Sequence, residues 1–134
     1  MRKFARIKPM MMGASAIVLL AAPGAAQAPA ALTGLQTGIW ELRHVGRSPR
    51  SPEHICVRNT TRLLQIHHAG IACQRRVLSD SQRSVSIRYE CPGAGWGQTT
   101  LSVETPRLAR IDTQGIESGR PFHNVYEARR TGDC

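Results

Sequence analysis

Four cysteines, Cys56, Cys73, Cys91 and Cys134, are spread from position 56 to the last residue of a 134-residue chain. The nearest two are 17 residues apart, and neither Cys-x-x-Cys nor Cys-x-x-His occurs. Metal-binding knuckles need closer spacing, so cysteine ligation of zinc is disfavoured. An even number of cysteines in a short exported chain reads instead as two disulfides, with three pairings open to four cysteines. Compartment therefore decides what these residues mean.

The N-terminus supplies that information. Arg2, Lys3, Arg6 and Lys8 precede an apolar run of 13 residues, Met10 to Ala22, and small residues follow it. That is the three-part layout of a secretory signal, and the run is shorter than the roughly 20 residues that anchor a helix across a bilayer. The expected organisation is a cleaved signal over residues 1–30, with a mature start between Gln27 and Ala31, and one domain over residues 31–134. No cysteine lies near the cut, so an acylated lipoprotein is not expected. The net charge of +9, from 18 Lys and Arg against 9 Asp and Glu, then divides into two parts. Four basic residues belong to the signal, leaving 14 against 9, or +5, and every remaining positive residue is Arg.

The expected pairing is Cys56 with Cys73, which brackets a short helical segment, and Cys91 with Cys134, which ties the last residue to the end of a strand. On the loop-entropy model each bridge contributes roughly 3 to 4 kcal/mol. With aromatic residues at 4%, the hydrophobic core is modest and the bridges matter correspondingly more.

Periodicity in the remainder is mostly two. In Ser84–Cys91, residues Val85, Ile87, Tyr89 and Cys91 share one face, while Ser84, Ser86, Arg88 and Glu90 share the other. A turn at Pro92–Gly97 and a return over Gln98–Glu104 make an antiparallel hairpin. Ile39–Val45, Cys73–Ser79, Arg107–Thr113 and Phe122–Arg130 are further strands, whereas 47–52 reads as a solvated loop. Asn59 caps one short helix over Thr60–His68, with Leu63, Leu64 and Ile66 on its apolar side. The expected fold is mainly β, an antiparallel meander of five to seven strands with one short helix, forming a curved sheet or small open barrel.

Gly38-Ile39-Trp40-Glu41, Cys56-Val57 before the helix, Cys73, Cys91-Pro92-Gly93 and the ending Arg129-Arg130-Thr131-Gly132-Asp133-Cys134 together resemble the bacterial periplasmic family known as domain of unknown function 3617. The resemblance covers roughly Thr37 to Cys134, and it departs from the family after Cys56, where Val57-Arg58-Asn59-Thr60 replaces the usual Thr-Pro-Glu. It implies export, disulfides and a small β-rich domain, and no activity.

Gly-x-Ser-x-Gly, Ser-x-x-Lys and phosphate-loop motifs are absent, so no catalytic residue and no cofactor is assigned. A non-enzymatic binding or structural module is expected, with a small periplasmic enzyme or a histidine-dependent metal protein as the alternative. His44, His54, His67, His68 and His123 are the candidate ligands for such a metal. His67 and His68 are adjacent and point apart on a helix, although His44 and His123 could meet. Arg75, Arg76, Arg129 and Arg130 are the candidate anion-binding residues, since guanidinium forks suit phosphates and carboxylates. The partner expected for them is an anionic envelope component rather than nucleic acid, and the protein is expected to be a monomer without a transmembrane segment.

Overall fold

The structure, a computed structural model, describes residues 27–46 and 50–134. Most of the expected signal, residues 1–26, and part of the expected solvated loop, residues 47–49, fall outside them. Among the described residues a single α-helical turn, α1 (Ala30–Thr33), precedes seven strands: β1 (Gly38–His44), β2 (Glu53–Val57), β3 (Gln74–Asp80), β4 (Ser84–Cys91), β5 (Gly95–Thr105), β6 (Leu108–Glu117) and β7 (Arg120–Gly132). All seven form one antiparallel sheet in the order β2-β1-β7-β6-β5-β4-β3. The five strands β3 to β7 are the expected meander. The β1–β2 hairpin adds to the far side of β7, and β2 and β3 stay apart as the two edges, so the sheet does not close.

That order dictates the rest of the architecture. A chain leaving β2 at one edge must reach β3 at the other, and it does so by crossing one face of the sheet. Residues 58–73 make this crossing and carry a 3-10 helix, Thr60–Leu64, whose Leu63 and Leu64 are buried. Asn59 is the expected cap: its Oδ1 accepts hydrogen bonds from the Thr61 backbone N at 3.0 Å and the Thr61 hydroxyl at 2.9 Å. The helix ends at Leu64, not His68. The reason is Gln65, whose Nε2 donates to the carbonyls of His68 at 2.6 Å and Ile71 at 2.9 Å, bending the chain round its own side chain.

Under the crossing lies the apolar face of the sheet. Trp40, Leu42, Val57, Val85, Leu101 and Ile111 are wholly buried there, and α1 adds Ala31 and Leu32. The Trp40 indole N–H donates to Gln36 O at 3.0 Å. Tyr89 lies across Gly97, its direct neighbour in the register, where a side-chain Cβ would come within 2.3 Å of the ring. Ser118-Gly119 closes the β6–β7 hairpin with φ of 49° and 77°, the left-handed pair that a two-residue turn needs to match strand twist.

The strand between residues 53 and 57 is one that local periodicity misses, because five residues are too few to show it. The disulfides also differ from expectation. Cys56 is joined to Cys134 and Cys73 to Cys91, not Cys56 to Cys73 and Cys91 to Cys134. Ile39 sits opposite Cys56 on one side and Gly132 on the other, so the chain terminus arrives beside β2. The second pairing follows from the β3–β4 hairpin, whose register sets Gln74 against Glu90 and hence Cys73 against Cys91. A hairpin turned about residue 82 brings those cysteines face to face.

Candidate functional site

The residues with the most available chemistry gather at the β3 edge. Arg76 faces outward from β3, directly opposite Arg88 of β4, and Arg75 faces the covered side, opposite Tyr89. Strand alternation fixes these faces, and like charges set directly opposite repel. Arg88 is held flat: its guanidinium carbon lies 4.1 Å from the centre of the Trp96 ring, and its Nε is 3.5 Å from Glu90. Among the described residues no carboxylate pairs with Arg76. A hollow of about 250 Å³ between these groups is lined by Gln74, Arg75, Arg76, Arg88 and Glu90.

Arg75 belongs to a second, adjoining hollow. Its Nε and Nη2 donate to Gln65 Oε1 at 3.0 and 2.7 Å, and Gln65 is itself buried and fixed by the crossing segment. Arg62 stands beside it, donating to Cys56 O at 3.3 Å, in a hollow of about 440 Å³ that also includes Thr61, Gly70 and Ile71. Arg62, Arg75, Arg76 and Arg88 thus line two neighbouring hollows in which Glu90 is the acidic residue. Such an edge can hold an anionic oxygen between guanidinium forks.

Arg129 and Arg130 lie elsewhere. Both are on β7, separated from β3 by β6, β5 and β4. Arg129 is 3.5 Å from Glu127, while Arg130 donates to Thr37 O and to Asp133. The four candidate arginines therefore form two groups, and only the β3 pair joins a larger cluster. Arg62 and Arg88 were not singled out from sequence. Alternation along β4 places Arg88 outward, but its position opposite Arg76 depends on pairing register.

The histidines form no shared centre. His68 is buried with Nδ1 3.3 Å from Tyr89 Oη and Nε2 3.3 Å from Ala94 O. His67 turns the other way and stacks on Phe122 at 4.1 Å. Its Nε2 accepts from Asn124 Nδ2 at 2.9 Å, which leaves the proton on Nδ1, 3.6 Å from Glu117. Burial pushes His67 below its ordinary value and outweighs the opposing charge of Glu117. Burial likewise pushes the Tyr89 hydroxyl up to about 12, with Glu117 acting in the same direction. His44 lies against the Tyr126 ring, tilted 48° to it with centroids 4.5 Å apart, on the covered face, whereas His123 contacts Asp112 at 3.0 Å on the outer face, so they do not meet. Among the described residues no three His, Cys, Asp or Glu side chains converge in metal-ligating geometry, and no helix is long and apolar enough to cross a membrane.

No protein-family model, curated protein or solved structure matches the chain.

Proposed function

We propose that this protein is a small, non-enzymatic, exported binding module of the cell envelope that captures an anionic group at the Arg76–Arg88 edge. The observation that carries this reading is the outward-facing Arg76–Arg88 pair. Two guanidinium groups set opposite one another on a sheet repel, and an anion between them removes that repulsion while using both forks. Two disulfides suit an oxidising compartment, and with the basic, apolar and small-residue order of residues 1–30 they support a periplasmic or secreted address. The resemblance to domain of unknown function 3617 points the same way.

Retention on heparin and on vesicles containing anionic lipid, measured as a function of salt, tests the binding claim. The double variant Arg76→Gln/Arg88→Gln loses most of its retention, whereas Arg129→Gln/Arg130→Gln, which removes equal charge, keeps most of it. Equal losses in the two variants would mean that net charge alone governs retention, and would overturn the site. The mass of the exported protein checks the address: a mature N-terminus read at Met1 would defeat it.

A further inference from the structure

We infer that the free edge of β3 accepts an extended acidic polypeptide as an eighth strand; this rests on the anion-binding reading above and names the kind of partner it serves. All seven residues of β3 are exposed, and among the described residues its ladder partner is β4 alone. Its other side therefore presents a row of backbone N–H and C=O groups, the template that strand addition uses. Val77 and Leu78, 52% and 45% exposed, stand in the middle of this edge, and Ile71, 41% exposed, lies on the approach to it. Large apolar side chains on the rim, flanked by charge, fit a partner that brings both.

The arginines define the charge of that partner. An antiparallel strand added beside β3 sets a side chain roughly 5 Å from the one it faces. Opposite Arg76 an acidic residue would point to the outer face and meet the guanidinium that has Arg88 on its other side. The next position along faces the covered side, beside Val77, and suits an apolar residue. Acidic and apolar residues in alternation are therefore the matching pattern. The β-bulge between Val77 and Ser79 interrupts regular pairing, so the added strand aligns with Gln74–Val77 and the contact is short. A second copy of this chain is a poorer occupant, because its own β3 would bring Arg75 and Arg76 to an edge that already carries them.

The probe is a nine-residue peptide alternating Glu and Val with both ends blocked, titrated into the purified protein at low salt. Two further peptides of identical charge carry N-methyl groups on one or the other alternate set of residues. Only one set of N–H groups in an added strand faces β3. Saturable binding is expected, with slowed amide exchange over residues 74–77, a tenfold or larger weakening by one methylation pattern, and little change from the other. Arg76→Gln/Arg88→Gln weakens the parent peptide at least tenfold, and the intrinsic tryptophan emission reports that the variant is folded. Equal affinity for all three peptides, with heparin retention still dependent on Arg76 and Arg88, would overturn strand addition and leave the anion site standing. Heparin retention indifferent to both arginines would remove the underlying reading as well. Slowed exchange over 74–77 that rises with protein concentration in the absence of peptide would assign the edge to a second copy and overturn the acidic partner.

Discussion

Strands β2 and β3 end the same sheet, and each is fastened by a disulfide, yet their surroundings are opposite. In β2, Ile55 and Val57 are buried beneath the start of the crossing segment, and Cys56 ties the strand to the C-terminal residue. In β3 no residue is buried, although Val77 and Leu78 are as apolar as Ile55 and Val57 of β2. The difference comes from the path of the chain. The crossing leaves β2 with Leu63 and Leu64 facing the sheet, and its final residues serve to return the chain into strand rather than to cover it. Charge follows the same division. On the β2 side Glu41 sits between Arg43 and His54, 3.3 Å from the latter, whereas on the β3 side Arg76 faces Arg88. One edge has its apolar side chains covered and its charges offset, whereas the other leaves Val77 and Leu78 exposed and Arg76 facing a like charge.

Three measurements can break or sharpen that contrast. The largest effect is expected from the bridges. Cys56 and Cys134 are separated by 78 residues and Cys73 and Cys91 by 18, so loop entropy assigns about 4 to 5 kcal/mol to the first and about 3 kcal/mol to the second. Chemical denaturation of Cys56→Ala/Cys134→Ala and of Cys73→Ala/Cys91→Ala should show the former as the less stable. The reverse order would mean that the β3 edge depends on its bridge more than the β2 edge does.

Next comes packing. Ile55→Ala should cost about 2 to 4 kcal/mol, as buried aliphatic truncations do, and Leu78→Ala should fall within about 0.5 kcal/mol of wild type. A comparable cost at Leu78 would show that something covers β3 in solution. The smallest effects concern charge. Arg76→Gln should raise stability by a few tenths of a kcal/mol, since it relieves a cross-strand repulsion. Glu41→Gln should lower it, with a pH dependence whose sign is set by the folded state. The hydrogen bond from Arg43 holds the Glu41 carboxyl below its ordinary value of 4.5, so its contribution is complete above that pH and disappears as pH falls through the lowered value. Urea unfolding at pH 7 and pH 3 should therefore show a gap between Glu41→Gln and wild type that narrows in acid. A gap independent of pH would assign the effect to packing.

Much of this architecture is legible in the sequence where the signal is local. The alternation of Ser84–Cys91 marks β4 to the residue, because the pleat turns successive side chains to opposite faces. Asn59 marks the start of the 3-10 helix through its own hydrogen bonds. The extent of that helix was not legible, since the turn at Gln65 depends on carbonyls that only the folded crossing brings near. Nor was α1, whose Ala30–Thr33 spans the expected junction of signal and domain. At the candidate site, Arg75 and Arg76 were visible as an exposed pair; Arg88 and Arg62 joined them only through strand register and the crossing.

The sequence by itself determined that this is a β-rich chain with an even set of cysteines, because pleat periodicity and residue counts need no knowledge of distant contacts. Tertiary structure alone decided which cysteines pair, which strands become edges and which arginines meet. Those outcomes depend on the order of strands in the sheet, and placing β1 beside β7 brings together residues about ninety positions apart in the chain. No local pattern encodes that neighbourhood, and both the covered edge strand and the exposed one follow from it.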